Sequence, residues 1–149
     1  MTASDTPGPV RNRPHFRAAV ATATVLLVDD DHDVRTIARL FLQRSGYTVL
    51  DAATGAEALR LLAGQVGPIH LLVTDLSMPG MDGVRLAEAV HELRPGMRVL
   101  YLSGYGAGDA RAPAMPEGVA LLEKPFTADA LSNKVHEMLD QSRQAQFKR

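Results

Sequence analysis

From Thr24 onward, short apolar runs alternate with amphipathic stretches, and the hydrophobic pattern switches each time from continuous to helical. Val25 to Val28 predicts a first strand; Val34, Ile37, Ala38 and Phe41 follow at helical spacing, and Gly46 is a stop signal. Tyr47 to Ala52 predicts a second strand, after which Thr54 can cap a helix whose buried side is Ala58, Leu59 and Leu62. The third run, Ile69 to Thr74, leads through a loop headed by Asp75 to a helix around Val84 to Leu93, with Leu86, Val90 and Leu93 on one face and Pro95-Gly96 closing it. Arg98 to Leu102 and Val119 to Leu122 predict the fourth and fifth strands, and Thr127 caps a last helix buried through Leu131, Val135, Met138 and Leu139.

Strands made of continuous apolar runs are buried on both faces, and the helices between them supply the right-handed crossovers of a parallel sheet. The pattern therefore predicts a three-layer, doubly wound α/β domain. One segment fits poorly: Gly104, Gly106, Gly108, Pro113, Pro116 and Gly118 leave room only for a short or broken fourth helix. Residues 1–23 carry Thr, Ala, Pro and Arg without periodicity and are expected to be a disordered extension. The domain is expected to occupy residues 24–140, with a polar tail over 141–149.

Composition narrows the function more than the fold. A chain of 149 residues, 46% hydrophobic, supports one core of ordinary size. A formal net charge of -1, with no long basic run, argues against direct DNA binding. The absence of Cys excludes disulfides, thiolate metal sites and Cys nucleophiles, and fits a reducing, cytoplasmic setting. Phe16 to Val28 is mildly apolar behind Arg11, Arg13 and Arg17, but it falls short of the ~20 residues that span a bilayer. A leader feeding the first strand is the simpler reading, and no membrane insertion is expected.

In an open parallel sheet, sites form outside the carboxyl ends of the strands. Here those ends deliver Asp29, Asp30 and Asp31, then Asp75, Ser103 and Lys124, to one edge. Asp29, Asp30 and Asp75 would crowd within several Å, and two like charges at ~4 Å repel by about 4 kcal/mol at an effective dielectric near 20. A cation or protons must fill the gap. All-oxygen donors in small number suit Mg²⁺, which keeps part of its shell as water and shares ligands with a phosphate. A carboxylate in such a place can act as a nucleophile toward phosphorus and form an aspartyl phosphate. Lys124 can meet one phosphoryl oxygen with positive charge and Ser103 another with a hydroxyl.

Four pieces are then read together: Leu27-Val28-Asp29-Asp30, Asp75 with Met78-Pro79-Gly80-Met81-Asp82-Gly83, Leu102-Ser103-Gly104, and Glu123-Lys124-Pro125-Phe126. In this order and on these strand ends the chain resembles the receiver (response regulator, CheY-like) domain of bacterial two-component systems, over roughly residues 24–140. The resemblance implies a (βα)5 flavodoxin-like fold with strand order 2-1-3-4-5. It implies Asp75 as phosphoacceptor, Asp30 as a direct Mg²⁺ ligand, Asp29 acting largely through water, the backbone carbonyl of Ser77 completing the protein ligands, and a cis Lys124-Pro125 bond. It also implies a histidine kinase or histidine phosphotransfer protein as donor. The polypeptide ends soon after the fifth helix, so a stand-alone regulator acting on a separate, unknown protein or passing the phosphoryl group onward is expected.

The chain departs from the family where Leu121 replaces the usual Tyr or Phe three residues before the lysine. Tyr101, on the same strand face as Ser103, is a candidate to repack in its stead. Tyr105 is expected to shield an acyl phosphate from water, and the Pro- and Gly-rich stretch after Ser103 to give a mobile output surface. Asp31, Asp33 and Asp82 read as turn or helix caps, and His32, His70, His91 and His136 as structural or solvated, since they lack metal-ligand spacing. Two other functions share features of the site. A phosphatase or phosphotransferase with an aspartyl intermediate lacks a second acid two residues after Asp75, and an interaction module indifferent to phosphorylation has no need of so complete an acidic set.

Overall fold

The structure is a computed structural model and describes residues 23–104 and 119–147. Five parallel strands, β1 (Thr24–Val28), β2 (Thr48–Ala52), β3 (Leu71–Asp75), β4 (Arg98–Ser103) and β5 (Ala120–Glu123), form one sheet in the order β2-β1-β3-β4-β5. This is the expected doubly wound order, with the reversal of chain direction across the sheet falling between β1 and β3. Four helices are described: α1 (His32–Arg44), α2 (Gly55–Gly64), α3 (Gly83–Leu93) and α4 (Ala128–Phe147). The expected short or broken helix between β4 and β5, the Tyr105 shield and residues 1–22 of the expected extension lie outside the described residues, whereas Ala23, its last residue, is buried in the core with its carbonyl accepting from the Thr48 amide.

The central strands β1, β3 and β4 are buried on both faces, as continuous apolar runs require, while the edge strands β2 and β5 are partly exposed. Val25, Leu27, Val73, Leu100 and Leu102 face Ala38 and Leu42 of α1 and Leu131, Val135 and Met138 of α4. The alternate residues Leu26, Val28, Leu72 and Tyr101 face Ala58 and Leu62 of α2 and Leu86, Ala87 and Val90 of α3. Each fully buried Leu contributes roughly 2 kcal/mol by leaving water, so neither layer is dispensable.

Local signals end the helices where they should. Asp31 caps α1 by accepting from the amides of Asp33 and Val34; Thr54 caps α2 by accepting from Glu57, and Asp82 caps α3 by accepting from Arg85. Thr127 Oγ1 accepts from the Ala130 amide at 3.0 Å at the start of α4. After α1, Gly46 has φ +99°, its amide reaches Gln43 O, and the Tyr47 amide reaches Leu42 O. That paired closure needs a left-handed residue, which Gly supplies without strain.

Three expectations shift. Ile37 is 47% exposed and Leu93 56% exposed, although both fell on predicted buried faces; α1 instead buries Leu42 and α3 buries Ala87. Helical spacing fixes an arc of residues but not where its edges meet the sheet. Asp75 closes β3 as a strand residue instead of opening the loop. Finally, α4 continues through the polar 141–147 stretch to Phe147, where no Pro or Gly interrupts it.

Candidate functional site

Each acid of the site is placed by a backbone constraint rather than by its own preference. Asp29 leaves β1 with its amide on Ala52 O at 3.2 Å, and its Oδ1 accepts from the Asp31 amide at 2.9 Å, which folds the chain back into α1. Asp75 is held at the end of β3 by pairing with Leu102, and the following amide, Leu76, reaches Leu102 O at 2.9 Å. The loop then turns at Pro79-Gly80, where Gly80 has φ +79°, and returns so closely that a Cβ on Gly83 would lie 2.3 Å from Asp75 O. Only glycine allows α3 to start there, with the Gly83 amide on Leu76 O at 2.9 Å.

These constraints converge the side chains. Carboxylate oxygens of Asp29, Asp30 and Asp75 lie within 4.8 Å of one another, with Asp29 and Asp75 buried and Asp30 open to solvent. Lys124 extends from the end of β5, its amide on Ser103 O at 2.7 Å, and its Nζ sits 3.1 Å from both Asp29 Oδ2 and Asp75 Oδ1. The Lys124-Pro125 bond is cis, as the resemblance implied. Ser103 is buried at the end of β4, one residue past the partner of Asp75 in the sheet register. Ser77 lies in the loop beyond Asp75, exposed.

The charges are unbalanced: three acids face one ammonium. Burial, then the neighbouring Asp29, push the Asp75 carboxyl up to about 6, and Lys124 offsets only part of this. Burial opposes the charge on Lys124, yet Asp29 and Asp75 outweigh it and hold its pKa above the ordinary lysine value. Asp29 Oδ2 is fully buried and, although in ionic contact with Lys124, makes no aligned hydrogen bond. Lys124 is the cation that offsets the cost of burying this acceptor. The set of hard oxygen donors, with more negative charge than Lys124 alone balances, fits a divalent cation such as Mg²⁺.

One feature of the neighbourhood is absent from the sequence reading. Arg35 of α1 donates through Nη1 to Asp29 O at 2.8 Å and through Nε to Asp51 Oδ2 at 3.2 Å, tying α1 and β2 to the acidic turn. The available signal was Asp51, a charge interrupting the otherwise apolar Thr48–Ala52 run. Of the histidines, His70 is structural: its Nδ1 accepts from the Thr24 amide at 2.9 Å.

Comparison with known proteins agrees with this geometry. Residues 25–136 match the family model described as the response regulator receiver domain. The chain is 40% identical over 121 residues to the sensor kinase CckA of Brucella abortus, covering 80% of this chain but 13% of that protein. It is 37% identical over 121 residues to the transcriptional regulatory protein GlrR of Escherichia coli K12, covering 80% of this chain and 27% of that protein. Thus the chain spans well under a third of these two relatives, whereas it covers 95% of the receiver protein CpdR of Brucella abortus at 34% identity, over 77% of its own length. Among solved structures, a receiver domain protein from Clostridium thermocellum superposes with a TM-score of 0.72 at 29% identity, covering 83% of this chain and 98% of that one.

Proposed function

The chain belongs to the response regulator receiver family of two-component systems, and from that premise we propose that it accepts a phosphoryl group on Asp75 from a histidine kinase or a histidine phosphotransfer protein. The observation that carries the reading is the convergence of Asp29, Asp30 and Asp75 with Lys124 in contact with two of them. A carboxylate oxygen of Asp75 attacks phosphorus in line; the phosphorus–nitrogen bond of the donor breaks, and its electron pair returns to the imidazole, which takes a proton from solvent. Bound at Asp29, Asp30, Asp75 and the Ser77 carbonyl, Mg²⁺ would neutralise charge on the transferring oxygens. Lys124 turns from its two acids toward a phosphoryl oxygen, and Ser103 donates its hydroxyl to another. Because Asp75 is fixed at the end of β3 by its pairing with Leu102 and by the close approach of Gly83 to its carbonyl, the acid is held at the open edge of the sheet.

In this reading the domain is a switch and not a turnover enzyme. Incubation with acetyl phosphate and Mg²⁺ should load about one phosphoryl group per chain and then stop. Continuous release of phosphate from a phosphate ester would instead favour the phosphatase alternative. The cytoplasm is the natural setting for the donor, and among the described residues no helix is long and apolar enough to cross a membrane.

Switching must reach a surface without the usual aromatic. Leu121 is 45% exposed on edge strand β5, whereas Tyr101 is 6% exposed and lines a groove of about 710 Å³ with Val84, Ala87, Glu88 and Val119. Burial first, and then Glu88 and Asp82, raise the Tyr101 hydroxyl pKa, so the ring stays neutral and can repack into that groove when Ser103 moves. Tyr101→Ala should cost about 3 kcal/mol of stability, still phosphorylate, and bind a downstream partner equally in both states. Intact discrimination between the states would remove Tyr101 from the switch.

A further inference from the structure

Besides Lys124, Arg35 is a described side chain near the acids whose contacts exceed what a surface ion pair explains. Its side chain is 16% exposed, and its planar fork spans three acceptors, one on β2, one on the turn after β1 and one on α1 itself: Asp51 Oδ2 at 3.2 Å, Asp29 O at 2.8 Å and His32 Nδ1 at 3.3 Å. Asp29 is fully buried, and the bond from Arg35 is one of three tethers on it, with the Ala52 carbonyl and the Asp31 amide as the others. Those tethers fix the carbonyl, the amide and Oδ1, and they leave Oδ2 aimed at Lys124. The same turn carries Asp30, the exposed member of the acidic cluster.

We propose that Arg35 is a positioning residue for the acidic site: anchored on Asp51, its guanidinium holds the Asp29 carbonyl and thereby the Asp29–Asp31 turn in the shape that lets Asp29 and Asp30 share a divalent cation with Asp75. The inference rests on the Mg²⁺-dependent reading above and adds a residue to it. Groups that orient metal ligands from behind are worth roughly 10–100-fold in metal affinity. The guanidinium meets the Asp51 carboxylate through Nε and the Asp29 carbonyl through Nη1, two donors in a rigid fork whose spacing the single nitrogen of a lysine does not reproduce. Arg39 provides an internal comparison, since its Nη1 lies 3.4 Å from the same Asp51 oxygen while no described contact joins it to the Asp29–Asp31 turn.

The test is isothermal titration of Mg²⁺ into the full chain and its Arg35→Lys, Arg35→Gln and Arg39→Gln variants, with melting followed in metal-free buffer. The expected result is Mg²⁺ binding about tenfold weaker in both Arg35 variants and within about twofold of the parent in Arg39→Gln. Direction matters here. Removing a positive charge beside the acids would by itself tighten cation binding, so weaker binding by Arg35→Gln reports position and not charge. If Arg35→Gln does not fold, Arg35→Lys, which keeps the charge, decides the matter alone. Binding by the Arg35 variants as tight as the parent's, with only melting lowered, overturns the proposal and leaves the phosphoacceptor reading standing. A parent chain that binds no Mg²⁺ overturns both.

Discussion

Asp75→Asn is expected to melt about 5–10 °C above the parent at pH 7.5 in the absence of divalent metal, and to lose most of the stabilisation that Mg²⁺ gives the parent. The cause is the crowding of acids. In the folded protein the Asp75 carboxyl titrates at about 6, above its ordinary 3.8, because burial and Asp29 disfavour its charge more than Lys124 favours it. The folded state therefore binds this proton more tightly than the unfolded chain does. Stability from this group is fully present below about pH 4 and is lost as pH rises through 6, leaving a penalty of about 3 kcal/mol at neutral pH. An amide carries no charge at any of these pH values. Parent and variant should then converge on acidification below pH 4 and diverge above 6, as read by melting across a pH series. Equal melting at pH 7.5, with no Mg²⁺ effect on either protein, would mean that the acids do not repel as their geometry demands.

Lys124→Met is expected to slow phosphorylation by acetyl phosphate about 100-fold while preserving the fold in Mg²⁺. Its ammonium is 3.1 Å from carboxylate oxygens of Asp29 and Asp75. Truncating one partner of a largely buried charge set leaves the others uncompensated, at a cost of about 3 kcal/mol in metal-free buffer. Methionine keeps the length and packing of the stem, so the loss is electrostatic. Mg²⁺ should restore much of the stability, because the divalent ion neutralises the same acids, but not the rate, because no other described side chain brings an ammonium to this pair. Stopped-flow or mass-resolved loading would measure it. A loading rate within threefold of the parent would show that Lys124 does no more than balance charge in the resting protein.

The sheet was legible because buried parallel strands must be continuous in hydrophobicity, and Val25 to Val28 or Leu71 to Val73 admit little else. The site was legible for a related reason: a charged residue that directly follows such a run has to sit at an open strand end, which is where Asp29 and Asp75 lie. The helix faces were legible only in their arc. Ile37 and Leu93 lie at its margin, and whether a margin is covered depends on crossing geometry that spacing does not encode. The Arg35 and Asp51 pairing was legible only as a charge interrupting the Thr48–Ala52 run, since a side-chain contact between a helix and the strand that follows it leaves no periodic trace. Lys124 shows the opposite case, a long-range partner found because strand order carried it to the acids.

The most direct measurement is mass spectrometry of the chain after incubation with acetyl phosphate and Mg²⁺, with the adduct trapped by borohydride reduction and mapped to a peptide. A single labile adduct on Asp75, absent when Mg²⁺ is chelated and absent in Asp75→Asn, is the predicted result. A stable chain with no adduct on that carboxylate, or with one mapped to Ser103 or a histidine, would contradict it.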